Sequence, residues 1–181
     1  LRLVGWEMCI RDSDTYEQQD KVLVGLCGGT GCKAAVRILQ QQGFAVMGAV
    51  VRLCTDDPVV DAAKEAAKAL GIECITLNAS ELASQLAEET AAPADLRFPA
   101  LLAAADRLGI QYIATGHHAR VELGSDGVHT VCPAVDAALD ESAALAALPQ
   151  DTLARLLLPL GEFTAADVQE MAQDFKVNGT V

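Results

Sequence analysis

Aromatic side chains are scarce: one Trp, two Tyr and four Phe make up 4% of the 181 residues. A β-sandwich or barrel draws on aromatic and β-branched strands. Here much of the 51% hydrophobic content is Ala, Leu and Val, which points to Ala-rich helices on aliphatic strands and away from a disordered chain. Long apolar runs are also missing, and none approaches the roughly 20 residues needed to cross a bilayer, so a soluble protein is expected. Positive charge is in deficit, with 13 Lys+Arg against 25 Asp+Glu and a net charge of −12. Affinity for nucleic acid rests on cations that displace phosphate counterions, so a broad nucleic-acid surface is not expected. A small local basic patch stays open. Six cysteines (9, 27, 32, 54, 74, 132) occur without any C-x-x-C pair or Cys/His ligand spacing. That excludes a sequence-encoded zinc site and favours a reduced, cytoplasmic compartment.

What is present is an alternation of short aliphatic runs with helical stretches. Residues 21–26 read as a buried strand, followed at once by a Gly-rich turn and a helix over 32–42 stopped by Gly43. Residues 45–53 form a continuous apolar strand. Pro58 opens a helix that runs to Leu70 and closes at Gly71. A third strand over 73–77, a helix over 81–89 capped by Ser80, a loop over 90–95, a helix over 98–108 and a fourth strand over 111–115 follow. This pattern predicts the α/β class, a doubly wound parallel sheet. Beyond it, residues 119–123 and 128–132 flank Ser125-Asp126-Gly127 as a hairpin. Helices are expected over 142–148, 150–157 and 164–175, the last opened by Thr164 with Asp167 three residues on. Cys74 and Cys132 read as strand core.

Ligands of such sheets lie at the carboxyl ends of the strands, where two turns draw notice. One is Cys27-Gly28-Gly29-Thr30-Gly31-Cys32-Lys33; the other is Gly116-His117-His118. The first does not fit the Walker spacing G-x-x-x-x-G-K-[ST] or the dinucleotide fingerprint G-x-G-x-x-G. What remains is a strand, a Gly-Gly turn and a helix N-terminus, where backbone N–H groups and the helix dipole favour an anion. A tight turn without a ligand has the same appearance.

The order of further segments sharpens this. Leu39-Gln40-Gln41-Gln42-Gly43, Leu70-Gly71-Ile72-Glu73, Arg97-Phe98-Pro99-Ala100-Leu101-Leu102, Tyr112-Ile113-Ala114-Thr115-Gly116-His117, Asp140-Glu141-Ser142 and Leu158-Pro159-Leu160-Gly161-Glu162 occur in sequence. Together with the loop they resemble the bacterial tRNA 2-thiouridine synthase (2-thiouridylase) family of the pyrophosphatase-loop ATPases. The resemblance covers about residues 20–178. It implies an adenine-nucleotide α-hydrolase-like domain over 19–135 and a helical segment over 136–181 that begins the family's central region. Residues 1–18 form an extension, of which 1–13 (LRLVGWEMCIRDS) resemble sequencing-adapter read-through; Trp6 and Cys9 fall there.

The resemblance further implies ATP with Mg2+ as cofactor, adenylation of the wobble uridine of tRNA and delivery of sulfur from a cysteine persulfide. A sulfur-relay protein is allowed for as a partner. Gly28 and Gly29 would cradle phosphates beside Cys27, Thr30, Gly31 and Cys32. Gly25 and Leu26 would place backbone by the adenosine, Val51 and Leu53 would flank the base, and Gly116 and His117 would close the site.

The departures lie in the same loop. Where the family reads S-G-G-x-D-S-S, Gly31 stands for the carboxylate that organises the metal, Cys27 and Cys32 stand for serines, and Lys33 for the last serine. Leu139 replaces the lysine of a K-D-Q-S segment. Ala92 stands where the first catalytic cysteine is expected, and the second, with a C-terminal barrel, would fall beyond Val181. No catalytic residue is therefore assigned, and no metal ligand. Impaired tRNA thiolation is the first expectation. A non-catalytic paralogue that binds an adenine nucleotide or a protein partner is the second, and an enzyme adenylating a small substrate the third. Cys27 and Cys32 read as small fillers of a decayed loop, although a helix N-terminus also lowers a thiol's pKa.

Overall fold

Period-two burial in the first strand sets the architecture. In β1 (Lys21–Gly25) Val22 and Val24 point to one face and Leu23 to the other, and all three are wholly buried. Only a strand covered on both sides buries both its faces. The computed structural model describes residues 20–52, 57–79 and 97–177. Trp6, Cys9, Leu53, Cys54, Ser80, the expected 81–89 helix and Ala92 lie outside the described residues.

The sheet has the order β3-β2-β1-β4-β7, every pairing parallel. After β1 come α1 (Thr30–Gln41), β2 (Ala45–Arg52), α2 (Pro58–Leu70), β3 (Cys74–Asn78), α3 (Arg97–Leu108) and β4 (Tyr112–Ala114). The hairpin β5 (Ala119–Leu123) and β6 (His129–Pro133) leads to α4 (Ser142–Leu145), α5 (Gln150–Leu153), β7 (Leu156–Leu157) and α6 (Ala165–Val177). Helices α1 and α2 cover one face, with Val36, Leu39, Val60, Ala63 and Leu70 packed over Val22, Val24 and Val50. On the other face α3 lays Phe98, Leu101, Ala104 and Ala105 over Leu23, Ala49 and Ile113. Burying each large aliphatic side chain stabilises the fold by about 1.5–3 kcal/mol, so this two-sided cover is the dominant reason the sheet forms. The expected doubly wound parallel sheet is therefore the observed one.

Local chemistry sets the boundaries. Asp57 caps α2 by accepting a hydrogen bond from the Val59 N–H at 3.1 Å, and Pro58 fills the first turn. Gly71 ends the helix at φ 67°, a left-handed position that costs glycine little. Thr164 and Asp167 exchange hydrogen bonds ahead of α6, the Thr164 N–H donating at 2.8 Å and the Asp167 N–H donating back to Oγ1 at 3.3 Å.

Four expectations are corrected. The first helix begins at Thr30, two residues early, because Gly29 is already extended at φ −72°, ψ 166° and Lys33 N–H bonds back to its carbonyl. The 150–157 helix stops at Leu153, and Leu156–Leu157 instead becomes the fifth sheet strand. There Leu156 and Leu157 lie opposite Ile113 and Ala114, a pairing that leaves no local trace in the sequence. The 142–148 helix likewise shrinks to Ser142–Leu145. Cys74 and Cys132 are only half-buried.

Candidate functional site

Strand order reverses at β1. The chain passes from β1 to β2 on one side, while β4 flanks it on the other. Loops leaving β1 and β4 therefore run in opposite directions and open a crevice at their carboxyl ends. A cavity of about 270 Å3 occupies this crevice. Its wall gathers Gly25, Leu26, Cys27, Cys32, Val51, Gly116 and His117 from the sequence-derived set. Gly28, Gly29, Thr30 and Gly31 form the turn and first helical residues between the two cysteines and are not among the lining residues. Leu53 lies outside the described residues.

The turn has a steric reason for its glycine. Gly28 sits at φ 78°, and a Cβ there would meet Ala62 Cβ of α2 at 2.6 Å. Gly116 lets the β4 exit approach α1, since a Cβ would stand 3.0 Å from the Cys32 backbone nitrogen. The first turn of α1 carries no acidic residue, and no side chain caps its Gly29 N-cap. The Gly29 N–H donates to the Cys27 sulfur; the N–H groups that follow it start a helix with no side-chain cap hydrogen bond among the described residues, an arrangement that suits an anion.

Residues that the sequence reading left out of the site also line the cavity: Ala49, Asp57, Val59, Arg97, Phe98, Leu101, Thr115 and Glu141. Arg97 and Phe98 head a segment that marks the family resemblance, which was the available signal. Their place in the wall depends on α3 crossing the far face of the sheet, which local pattern does not encode. Arg97 supplies positive charge, felt by Cys27, Cys32 and His117 alike.

His117 is held by Thr115, whose Oγ1 lies 2.8 Å from Nδ1, and it stacks on Phe98 with ring centroids 6.1 Å apart and planes at 28°. Burial lowers its pKa below the ordinary 6.5, with the nearby Glu141 opposing. At neutral pH His117 is therefore an uncharged hydrogen-bonding group, and Arg97 is the wall's cation. Glu141 Oε2 accepts from the His118 N–H at 2.9 Å, and the Glu141 N–H donates to the His118 carbonyl at 2.9 Å. Asp140 accepts from the Ala134 N–H, the Ser142 N–H and the Ser142 hydroxyl. The Asp140-Glu141-Ser142 segment therefore clips the β4 exit to the hairpin.

Cys27 and Cys32 meet across the loop with their Sγ atoms 2.7 Å apart. Cys27 is exposed and Cys32 buried. A hydrogen bond from Cys32 lowers the Cys27 pKa from 9.0 to about 6 against the opposing effect of burial, with the Gly29 backbone and Arg97 contributing in the same direction. The Cys32 pKa is raised, first by that same bond and then by burial. Among the described residues no group of three or more His, Cys, Asp or Glu is placed to hold a metal ion.

A family model for the tRNA methyl transferase HUP domain matches residues 90–180. The chain belongs to this family. The tRNA-specific 2-thiouridylase MnmA of Carboxydothermus hydrogenoformans is 33% identical to this HUP-domain chain, over 87% of the chain and 51% of the relative. That of Moorella thermoacetica is 34% identical, over 83% and 50%. The chain thus spans about half the length of the curated relatives it matches. Among solved structures, the NH3-dependent NAD synthetase from Campylobacter jejuni shares the fold with a TM-score of 0.52 at 13% identity, covering 97% of this chain and 73% of that one. No helix among the described residues is long and apolar enough to cross a membrane.

Proposed function

We propose that this chain is an adenine-nucleotide-binding member of the 2-thiouridylase family whose adenylation step is impaired. The observation that carries the reading is Gly31, which stands beside the open N-terminus of α1 where the family resemblance puts a carboxylate. The nucleotide fits. An uncapped helix N-terminus and the Arg97 guanidinium suit phosphates, and Leu26, Val51 and Phe98 offer an apolar wall for a base. About 270 Å3 is near the lower bound for ligand cavities, enough for the nucleoside end while phosphates extend along the turn.

The magnesium ion does not fit as well. Hard divalent cations want carboxylate oxygens, and the two carboxylates of the wall are already engaged, Asp57 capping α2 and Glu141 holding the β4 exit. The chemistry left to this chain is binding and orientation: helix N–H groups and Arg97 hold the anion, and neutral His117 offers a hydrogen bond at the mouth of β4. The relatives' names carry tRNA as their substrate, a role that the net charge of −12 weakens for this chain; a cytoplasmic setting belongs to the same proposal.

The decisive experiment is ATP–pyrophosphate exchange with Mg2+, run beside binding of a fluorescent ATP analogue. Binding without exchange above background is the expected result. Exchange at a rate typical of an adenylating enzyme would overturn the impairment, and absence of binding would overturn the nucleotide site.

A further inference from the structure

The two loop thiols have chemistry of their own. Cys27 ends the β1 exit and Cys32 lies in the first turn of α1, so the chain between them is only the turn through Gly28 and Gly31. Their sulfurs are 2.7 Å apart, against about 2.05 Å for a covalent bond. Closing the gap takes less than an ångström of movement between the end of the Gly-rich turn and the first turn of α1. The partners are also unequal: Cys27 is reachable from solvent, while Cys32 is 5% exposed. An outer thiol that meets reagents and an inner one that can only meet its neighbour is the division of labour that thiol–disulfide exchange requires.

We propose that Cys27 and Cys32 form a dithiol–disulfide couple in which Cys27 is the attacking thiol, Cys32 the resolving thiol, and a low-molecular-weight disulfide the oxidant. In the first step the Cys27 sulfur attacks one sulfur of the oxidant R–S–S–R. The S–S bond of the oxidant breaks, one thiolate R–S− leaves, and Cys27 carries a mixed disulfide. In the second, the Cys32 sulfur attacks the Cys27 sulfur, the Cys27–Cys32 bond forms as the bond from Cys27 to the R–S group breaks, and the Cys32 proton passes to the departing sulfur, which leaves as R–SH; the proton that Cys27 released to solvent on ionising goes to the first R–S−. Two electrons pass from the protein thiols to the oxidant, and the two thiol protons end on two molecules of R–SH. The order of steps follows from the charges. While Cys27 is a thiolate, Cys32 donates its hydrogen bond and holds its proton. Once Cys27 is bound in the mixed disulfide, that negative charge is gone and Cys32 is freed to ionise.

The test uses the full chain equilibrated in glutathione buffers of graded oxidised-to-reduced ratio, with remaining thiols alkylated and mapped by mass. One reversible transition is expected, with loss of two alkylatable thiols on the peptides carrying Cys27 and Cys32. Cys32→Ser should accumulate a stable glutathione adduct on Cys27, and Cys27→Ser should show no adduct on Cys32. Because Cys32 is a core position, circular dichroism on the same samples checks its fold; Cys27 is exposed, and its variant keeps the proposal testable alone. A pair that stays reduced at every ratio, or a disulfide that maps to other cysteines, overturns the proposal. Its failure is separate from that of the nucleotide site, because no nucleotide enters the measurement.

Discussion

At the scale of single residues the crevice is defined by two thiols and two glycines. A free thiol at pH 7 is mostly protonated, but Cys27 accepts a hydrogen bond from Cys32 and from the Gly29 backbone in the presence of Arg97. Its reaction with iodoacetamide should therefore be half-maximal near pH 6, with no further rise through pH 9. A profile that climbs only toward the ordinary value of 9.0 would remove the thiolate from the crevice. The sign for stability follows from linkage: a folded-state pKa below the unfolded one adds stability that is fully present above pH 9 and is lost as pH falls through about 6. The burial-lowered His117 acts in the same direction, losing stability as pH falls through the ordinary 6.5. Thermal melts between pH 5 and 9 measure the sum. The sequence made the cysteines visible as departures at a helix start and read them as fillers. It could not show that they touch, because the turn that folds them together depends on Gly28 reaching under Ala62 of α2.

At the scale of elements, α2 carries a carboxylate with two duties. Asp57 caps the helix and also lines the cavity, so stability and anion binding pull in opposite directions there. Replacing it with Ala should cost about 1 kcal/mol, a fall of roughly 2–4 °C in Tm for a chain of this size. Asp57→Asn should keep the cap and the melting temperature while removing a charge of the wrong sign, tightening ATP binding roughly fivefold, the equivalent of about 1 kcal/mol between charges in a wet cleft. Differential scanning calorimetry and isothermal titration of both variants separate the two effects. If the Asn variant binds no better than the parent, the phosphates do not lie near this helix. The strong caps explain why the 58–70 helix was legible to the residue. The short helices near the C-terminus were not, since Leu156 and Leu157 become a strand only by pairing with β4. Arg155 assists by donating to the Gln111 and Ile110 carbonyls and to Asp106.

At the scale of the whole molecule, the net charge of −12 sets the terms for any polyanion. The local field at the α1 N-terminus and Arg97 attracts phosphate, and within a Debye length of about 8 Å at physiological salt it outweighs distant acids. A nucleotide is small enough to feel mainly that local field. A tRNA is not, and it would cover much of an acidic surface. Gel-shift titration of this chain with tRNA at 0.15 M salt is expected to show no complex at micromolar protein, with nucleotide binding retained under the same conditions. A tight complex would argue that the chain presents a basic face for which its composition gives no sign.

Hydrophobic patterning, helix caps and turn residues act between neighbours in the chain, and so the sequence by itself determined the parallel sheet, its two helical layers and the edge where a ligand would sit. It also exposed the loop in which a glycine stands for a carboxylate. Contacts between distant segments decided the rest: the fifth strand, the entry of Arg97 and Phe98 into the crevice wall, the use of Asp57 and Glu141 as backbone clips, and the meeting of Cys27 with Cys32. Those outcomes depend on which faces close over the switch point at β1, and closure is a property of the packed layers that no local pattern carries.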